Sequence, residues 1–532
     1  MHVSEAPVLL GRVCSEWRRI SLATPEVWSF LHIVPPNINF VNSALSAERF
    51  QKKRDLVQMW LARSGMCPLS ISFVWFAGDS EDEVRWGGSL LEVLVPECHR
   101  WKSLDFRVPL KMLKPFMGLT VTHVPALEGM SLMDNKTPLD AEFVNHWPES
   151  LDFVGNTTSL RTLTLTFFSG GMRLPTIPWS QLTILYLESN IAFYFTDSCE
   201  MLSTLSKCIN LQNCTLKFPL SHTVSLPIYQ KTDMSITLPQ LQLLCLDGDQ
   251  HLHNTFHMSN LLMNLVAPKL RKLEVLGRSG RSDENITPEP LLAIRSLLAR
   301  SKPPLERLNL ESIPILADHF VACLRLVPNL VDLVVHNWAL QVGTGLLNPV
   351  GEDEQSMAPL FNEGTRQGDQ AEALEEMPEN LILKALTLKR TELSCPTTER
   401  IEQESEATVA QASTEPDLVI LQPTSSALSH PFDDGLDADS GPLCPRLQRF
   451  DFTLGDASQT LFCDFIASRW NDVPDGVAKI RSVKCTFTAF EEEAVTKRVD
   501  RFRSEGLVAF VTHQIPILDD LNPSPWTGLE GP

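Results

Sequence analysis

The chain lacks the signatures that announce a catalytic centre. It contains no Gly-x-Ser-x-Gly elbow for an activated serine, no Gly-x-x-x-x-Gly-Lys-Ser/Thr loop for phosphates and no His-Glu-x-x-His pair for a catalytic zinc. Gly277 to Ser282 reads GRSGRS, the residue types of a serine elbow in the wrong order. Glu491 to Glu493 are consecutive acids that diverge around a helix, which suits solvation or dipole compensation and not paired acid–base work. The expectation is a protein that is not an enzyme and uses no cofactor.

Other absences narrow the setting. No run of about 18 apolar residues is present, so no membrane partner is expected. His2 to Glu5 is not a basic leader region and no apolar stretch follows it. Without secretion, the Asn-x-Thr triplets at Asn135, Asn156, Asn213 and Asn285 are chance matches. None of the 12 cysteines forms a Cys-x-x-Cys. Cys14, Cys208, Cys245 and Cys323 sit in apolar runs, as small buried thiols of a reducing compartment do, and Cys199, Cys208 and Cys214 lack ligand spacing. A cytoplasmic or nuclear location follows. Positive charge is scarce: 45 Lys and Arg oppose 65 Asp and Glu, a net charge of −20. Between Pro349 and Gly441, 20 acidic residues face 5 basic ones, so −15 of the −20 belongs to one region. No nucleic-acid partner is expected, because phosphate binding needs a basic face. QKKR at Gln51 to Arg54 reads as the solvated side of a helix.

What the chain has is, first, an amphipathic stretch at Ala6 to Ile33. Pro7 suits a first helical turn and Ser4 can cap it. Leu9, Leu10, Val13, Cys14, Trp17 and Ile20 recur at three- and four-residue steps and so share one helical face. Thr24-Pro25 closes the pattern ahead of a short turn carrying Val27 and Trp28. The residue order VCSEWRRIS, TP, VW, LHI resembles the C-terminal half of the F-box of fungal F-box proteins, with Val13, Cys14, Trp17, Arg18, Pro25 and Trp28 matching one by one. WLARSGMCPLSISF at Trp60 to Phe73 and HRWKSLDF at His99 to Phe106 continue the likeness. The family's opening Leu-Pro helix has no counterpart here. The resemblance implies that the chain docks on a Skp-type adaptor of a cullin-based ubiquitin ligase and recruits a protein substrate by proximity. Val8, Leu9, Leu10, Val13, Cys14, Trp17, Arg18 and Trp28 are then the adaptor-binding candidates, with Trp17 and Trp28 mainly internal and Leu9 and Leu10 facing the partner. A scaffold for protein–protein interaction without ligase coupling is the alternative.

Second, the chain repeats itself. Leu-x-x-Leu-x-Leu phrases start at Leu160, Leu182, Leu211, Leu241, Leu270, Leu305, Leu330, Leu383 and Leu447, with weaker copies at Leu127 and Ile480. From Leu127 to Leu330 the steps run from 22 to 35 residues. Each phrase reads as one strand whose apolar face is buried only by its neighbours. Asn190 alone stands at the offset of the usual leucine-rich asparagine, and Asp249 occupies the same offset two copies later. Helical returns are expected at Ser43 to Arg63, Ser89 to Val95, Pro290 to Arg300, Ala317 to Leu326 and Glu491 to Glu505, with strands at Pro68 to Trp75, Leu104 to Phe106 and Leu507 to Val511. The expected fold is α/β: a short helical F-box remnant, then a leucine-rich-repeat-like solenoid of parallel strands and helices.

The expected divisions are partial F-box helices at 1–34, a linker helix at 35–66 and repeats at 67–348. Two polar inserts, at 349–380 and 395–443, are too poor in apolar residues to fold alone and flank a repeat strand at 381–394. Final repeats and a helix occupy 444–515, and a Pro-rich tail 516–532. The one metal-like cluster, Asp249, His251, His253 and His257, reads as a solvated connector, so no metal site is expected. Trp75, Trp86, Trp101, Trp147, Trp179 and Trp338 are expected to fill the core.

Overall fold

The computed structural model describes residues 7–35, 43–75, 81–134, 149–155, 157–167, 177–189, 198–218, 235–249, 252–278, 289–313, 315–336, 377–388, 441–455, 457–471, 473–488 and 491–513. Their organising element is one sheet of 14 strands, every neighbouring pair parallel. In chain order the strands are β1 (Phe30–Ile33), β2 (Leu69–Val74), β3 (Trp101–Arg107), β4 (Gly129–Met133), β5 (Thr162–Phe167), β6 (Ile184–Ser189) and β7 (Asn213–Lys217). Next come β9 (Leu243–Asp249), β11 (Lys272–Arg278), β12 (Arg307–Glu311), β13 (Asp332–His336), β14 (Arg449–Gly455), β15 (Ser482–Phe487) and β16 (Val508–His513). The short β8 (Ile236–Thr237) and β10 (Leu265–Val266) pair with each other outside it. Along the sheet each strand lies beside the next in sequence.

The leucine phrases explain this order. In LRTLTL, Leu160, Leu163 and Leu165 are all buried, the first from the corner and the other two from one face of β5. The same holds for Leu182, Leu185 and Leu187 and for Leu305, Leu308 and Leu310. Period-two alternation sends the intervening residues to the opposite face. Trp75 and Trp101 fill the buried layer, and Trp179 joins them; Trp86 is packed against that layer from its edge, while Trp147 and Trp338 lie outside the described residues.

Helices cover the buried face. They are α3 (Ser43–Arg63), α4 (Glu81–Glu92), α5 (Ser198–Ser206), α6 (Leu252–Asn264), α7 (Glu289–Ser301) and α8 (Ala317–Arg325), then α9 (Pro378–Leu386), α10 (Gln459–Trp470) and α11 (Glu493–Ser504). From α5 onward each packs against the next. α4 begins well before the expected Ser89: its opening acids, Glu81 to Glu83, suit a helix N-terminus, and a 3-10 turn at Val95–Arg100 follows it.

Arginines tie successive helices together. Near the end of one helical segment an arginine takes carbonyls of an earlier stretch, among them Leu262 O and Leu386 O at helix C-termini, where carbonyls lack an intrahelical donor. Arg100 donates to Ser64 O and Cys67 O, and Arg300 to Leu262 O and Leu265 O. Arg469, fully buried, donates to Leu386 O, Leu443 O and Cys444 O.

Two expectations fail in the body of the fold. The LKALTL phrase at Leu383 is no strand: it ends helix α9, whose Ile382, Leu383 and Leu386 are buried. Pro378 and Glu379 favour that helix start. The sheet also leaves no vacancy there, because Gln448 N and Arg449 N both donate to Val331 O at 2.9 Å, joining β13 directly to β14. The insert expected over 349–380 therefore ends in ordered helix, with Asn380 buried and accepting from Ser458 N. The rest of that insert, apart from Met377, and residues 395–440 of the second lie outside the described residues, as does the 516–532 tail.

Charged side chains on the open face alternate in sign between strands. Lys217 lies 3.5 Å from Glu188 and 3.7 Å from Asp247, and Arg307 and Arg449 both reach Asp332. His336 Nε2 lies 2.9 Å from one Asp451 oxygen and Lys484 Nζ 3.2 Å from the other. Burial works against ionisation of Asp451, but hydrogen bonds and charge from His336 and Lys484 outweigh it and hold its carboxyl below the usual range. A depressed carboxyl contributes stability above its unfolded value, about 3.9, and loses it as pH falls through the folded one. Asp451→Asn is therefore expected to cost about 1 kcal/mol at pH 7. Urea unfolding from pH 7 to pH 3 should show the gap to wild type closing; a gap independent of pH contradicts this role.

Candidate docking surface

The N-terminal stretch folds as two short helices, α1 (Leu10–Val13) and α2 (Ser15–Ala23), followed by a 3-10 turn (Pro25–Trp28) and β1. The single face expected from Leu9 to Ile20 is therefore broken. Cys14 is extended, with φ −158° and ψ 173°, and its Sγ accepts Trp17 N–H at 3.5 Å as the N-cap of α2. Arg18 Nε closes the gap by donating to Gly11 O at 2.7 Å. Arg19 pairs with Glu16 on the solvent side.

Trp28 anchors this unit to the body. It is buried, its indole Nε1 donates to Ser21 O at 2.7 Å, and its ring meets Trp60 edge-on at 4.9 Å between centroids. The Arg63 guanidinium covers the same ring at 4.6 Å. Gly65, at φ +55°, ends α3 beside Pro25.

Little else of the unit is buried. α1 buries no residue and α2 only Ser21. Leu9, Val13, Trp17 and Ile20 are exposed by 44%, 60%, 51% and 50%. Leu9 and Val13 are four residues apart, Trp17 and Ile20 three, so each pair shares a helix side. Of the eight candidates, Leu9, Val13, Cys14, Trp17 and Arg18 are exposed, Val8 and Leu10 are half-buried and Trp28 is closed off. Trp17, expected inside, is outside, because the turn at Cys14 carries α2 away from the packed face. Cys14 is likewise an exposed thiol, not a buried one; Cys208, Cys245 and Cys323 are buried, and burial pushes each of those thiols up to about 12. Phe30, on the outer strand of the sheet, is also exposed and extends the apolar character beyond α2.

Among the described residues no group of three or more His, Cys, Asp and Glu could hold a metal. His253 and His257 stand in α6, which begins at Leu252 where a connector was expected, and the side chains of the cluster lie outside the described residues. No described helix is long and apolar enough to cross a membrane. No family model and no curated protein matches the chain.

Proposed function

We propose that the exposed face of α1 and α2 is the docking surface for a Skp-type adaptor of a cullin-based ubiquitin ligase. The parallel-strand body, read as a leucine-rich-repeat-like solenoid, then holds a protein substrate. The chain itself performs no bond chemistry; it raises the local concentration of substrate near the ubiquitin-loaded enzyme. The observation that carries this reading is the unused apolar surface of a helix too short to stand alone. Helices under about 12 residues are marginal in water and depend on tertiary packing. α2 has nine residues and one buried side chain, yet presents Trp17 and Ile20 to solvent. Burial of such side chains contributes about 2 kcal/mol each, which a partner supplies and the chain's own core does not. The F-box-like residue order names the partner.

Co-purification with the adaptor tests this. Wild type should be retained, and Leu9→Asp/Leu10→Asp and Trp17→Asp/Ile20→Asp should each lose at least about 100-fold in affinity. Because Trp17 and Ile20 are exposed, the second pair should change folding stability by no more than about 0.5 kcal/mol per site. Failure of wild type to associate would leave the protein as an interaction scaffold without ligase coupling.

A further inference from the structure

The sheet's N-terminal rim, where the chain enters each strand, carries cations that the fold does not neutralise. Backbone hydrogen bonds place Arg161, Thr183, Gln212, Gln242 and Arg271 in one row across β5, β6, β7, β9 and β11. Arg161 is exposed and, among the described residues, its guanidinium donates only to the backbone carbonyls of Thr158 and Leu160. Lys272, exposed at the start of β11, has no acidic partner among the described residues, and neither has Arg481 at the start of β15. Between Arg161 and Lys272 the rim is hollow and mostly amide and hydroxyl, with Arg271 paired to Glu306 and Lys269 donating to Gln240 at 2.8 Å. A depression of about 270 Å³ is lined there by Arg161, Gln181, Thr183, Asn210, Gln212 and Gln240. Arg161 also borders a second hollow, whose lining includes Gly129, Ser131, Asp105 and the Lys102–Glu128 pair.

We infer that this rim binds an extended acidic peptide running across the strands, with one carboxylate on Arg161 and another on Lys272. The spacing sets the peptide's pattern. β5 and β11 are four strand spacings apart, about 19 Å at about 4.8 Å each, and an extended chain covers that in about six residues. The amide and hydroxyl side chains between the cations can donate to and accept from the peptide backbone. Single, separated cations match single carboxylates; a phosphate dianion favours clustered arginines. Glu128 and Glu306 stand just outside this stretch on either side, so a short peptide with two carboxylates fits between them, whereas a nucleic acid, charged at every residue and longer than the stretch, meets them. This inference rests on the strand-bearing body being the substrate-holding part, and not on the adaptor surface.

The test is fluorescence anisotropy with the full chain and a labelled peptide whose two aspartates stand six residues apart, separated by Ser, Thr and Gln. Saturable binding is expected at low salt, weakened at least about tenfold by Arg161→Glu and by Lys272→Glu. Lys497→Glu, on α11 far along the chain and paired with Glu493, should leave it unchanged. The same residues rearranged with the aspartates three apart should bind at least about fivefold more weakly. Absence of saturable binding overturns the inference, as do equal affinities for the two spacings, indifference to both charge reversals, or tighter binding of a phosphopeptide or single-stranded RNA. Adaptor binding measured on the same preparations should be unaffected by either rim variant, which separates failure here from failure of the docking proposal.

Discussion

Arg469→Met is expected to destabilise the protein by about 3 kcal/mol or more, one of the largest single-residue effects in the chain. Arg469 is fully buried and, among the described residues, its charge is not paired with a carboxylate. Burial lowers its guanidinium to about 10, which still leaves it protonated at neutral pH. Its role is to satisfy three carbonyls, those of Leu386, Leu443 and Cys444, which belong to segments on either side of residues 389–440. Methionine fills much of the volume but returns none of those hydrogen bonds. Cys444 O keeps its bond from Leu447 N–H at 3.1 Å, while Leu386 O and Leu443 O lose their donor, and each buried carbonyl left without one costs about 1 kcal/mol or more. Arg300→Met removes a similar tie, but Arg300 is exposed, and solvent can replace it. Denaturant unfolding of the two variants should show a large loss for the first and a small one for the second. Equal losses would contradict the clamp.

Trp28→Ala should cost about 3–5 kcal/mol, the range for emptying a large buried aromatic site. The indole hydrogen bond to Ser21 O and the packing against Trp60 and Arg63 are lost together. The loss has a functional reading as well. α1 and α2 contribute almost nothing to the core, so Trp28 and its turn are what hold them in place. Trp28→Ala should abolish adaptor binding along with the stability, whereas Trp17→Asp/Ile20→Asp should abolish binding alone. Thermal melts beside the binding measurements separate a side chain that supports the surface from side chains that form it.

The strand order was legible because burial on one face and a corner leucine write the same phrase each time: Leu160, Leu163 and Leu165 have direct counterparts in Leu211, Cys214 and Leu216. The phrase is not unique to strands. At Leu383 its spacing also places Ile382, Leu383 and Leu386 on one side of a helix, and only the direct pairing of β13 with β14 decides between the two. β1 is not legible in the sequence because four residues, Phe30 to Ile33, give too short an alternation. Periodicity foresaw the apolar pattern of Leu9 to Ile20 but not its exposure, since the break at Cys14 rests on a backbone angle and a thiol cap. Buried arginines are equally silent in sequence: Arg469 and the exposed Arg481 look alike until their surroundings are known.

Whether α1 and α2 form a docking face decides the function of the chain. Amide hydrogen exchange of the full chain, with and without a purified Skp-type adaptor, tests it most directly. The short helices should exchange quickly alone, and the adaptor should protect residues 9–24 while leaving the strands from β5 onward unchanged. Unchanged exchange at Trp17 and Ile20 in the presence of saturating adaptor, or protection confined to the sheet, would contradict it.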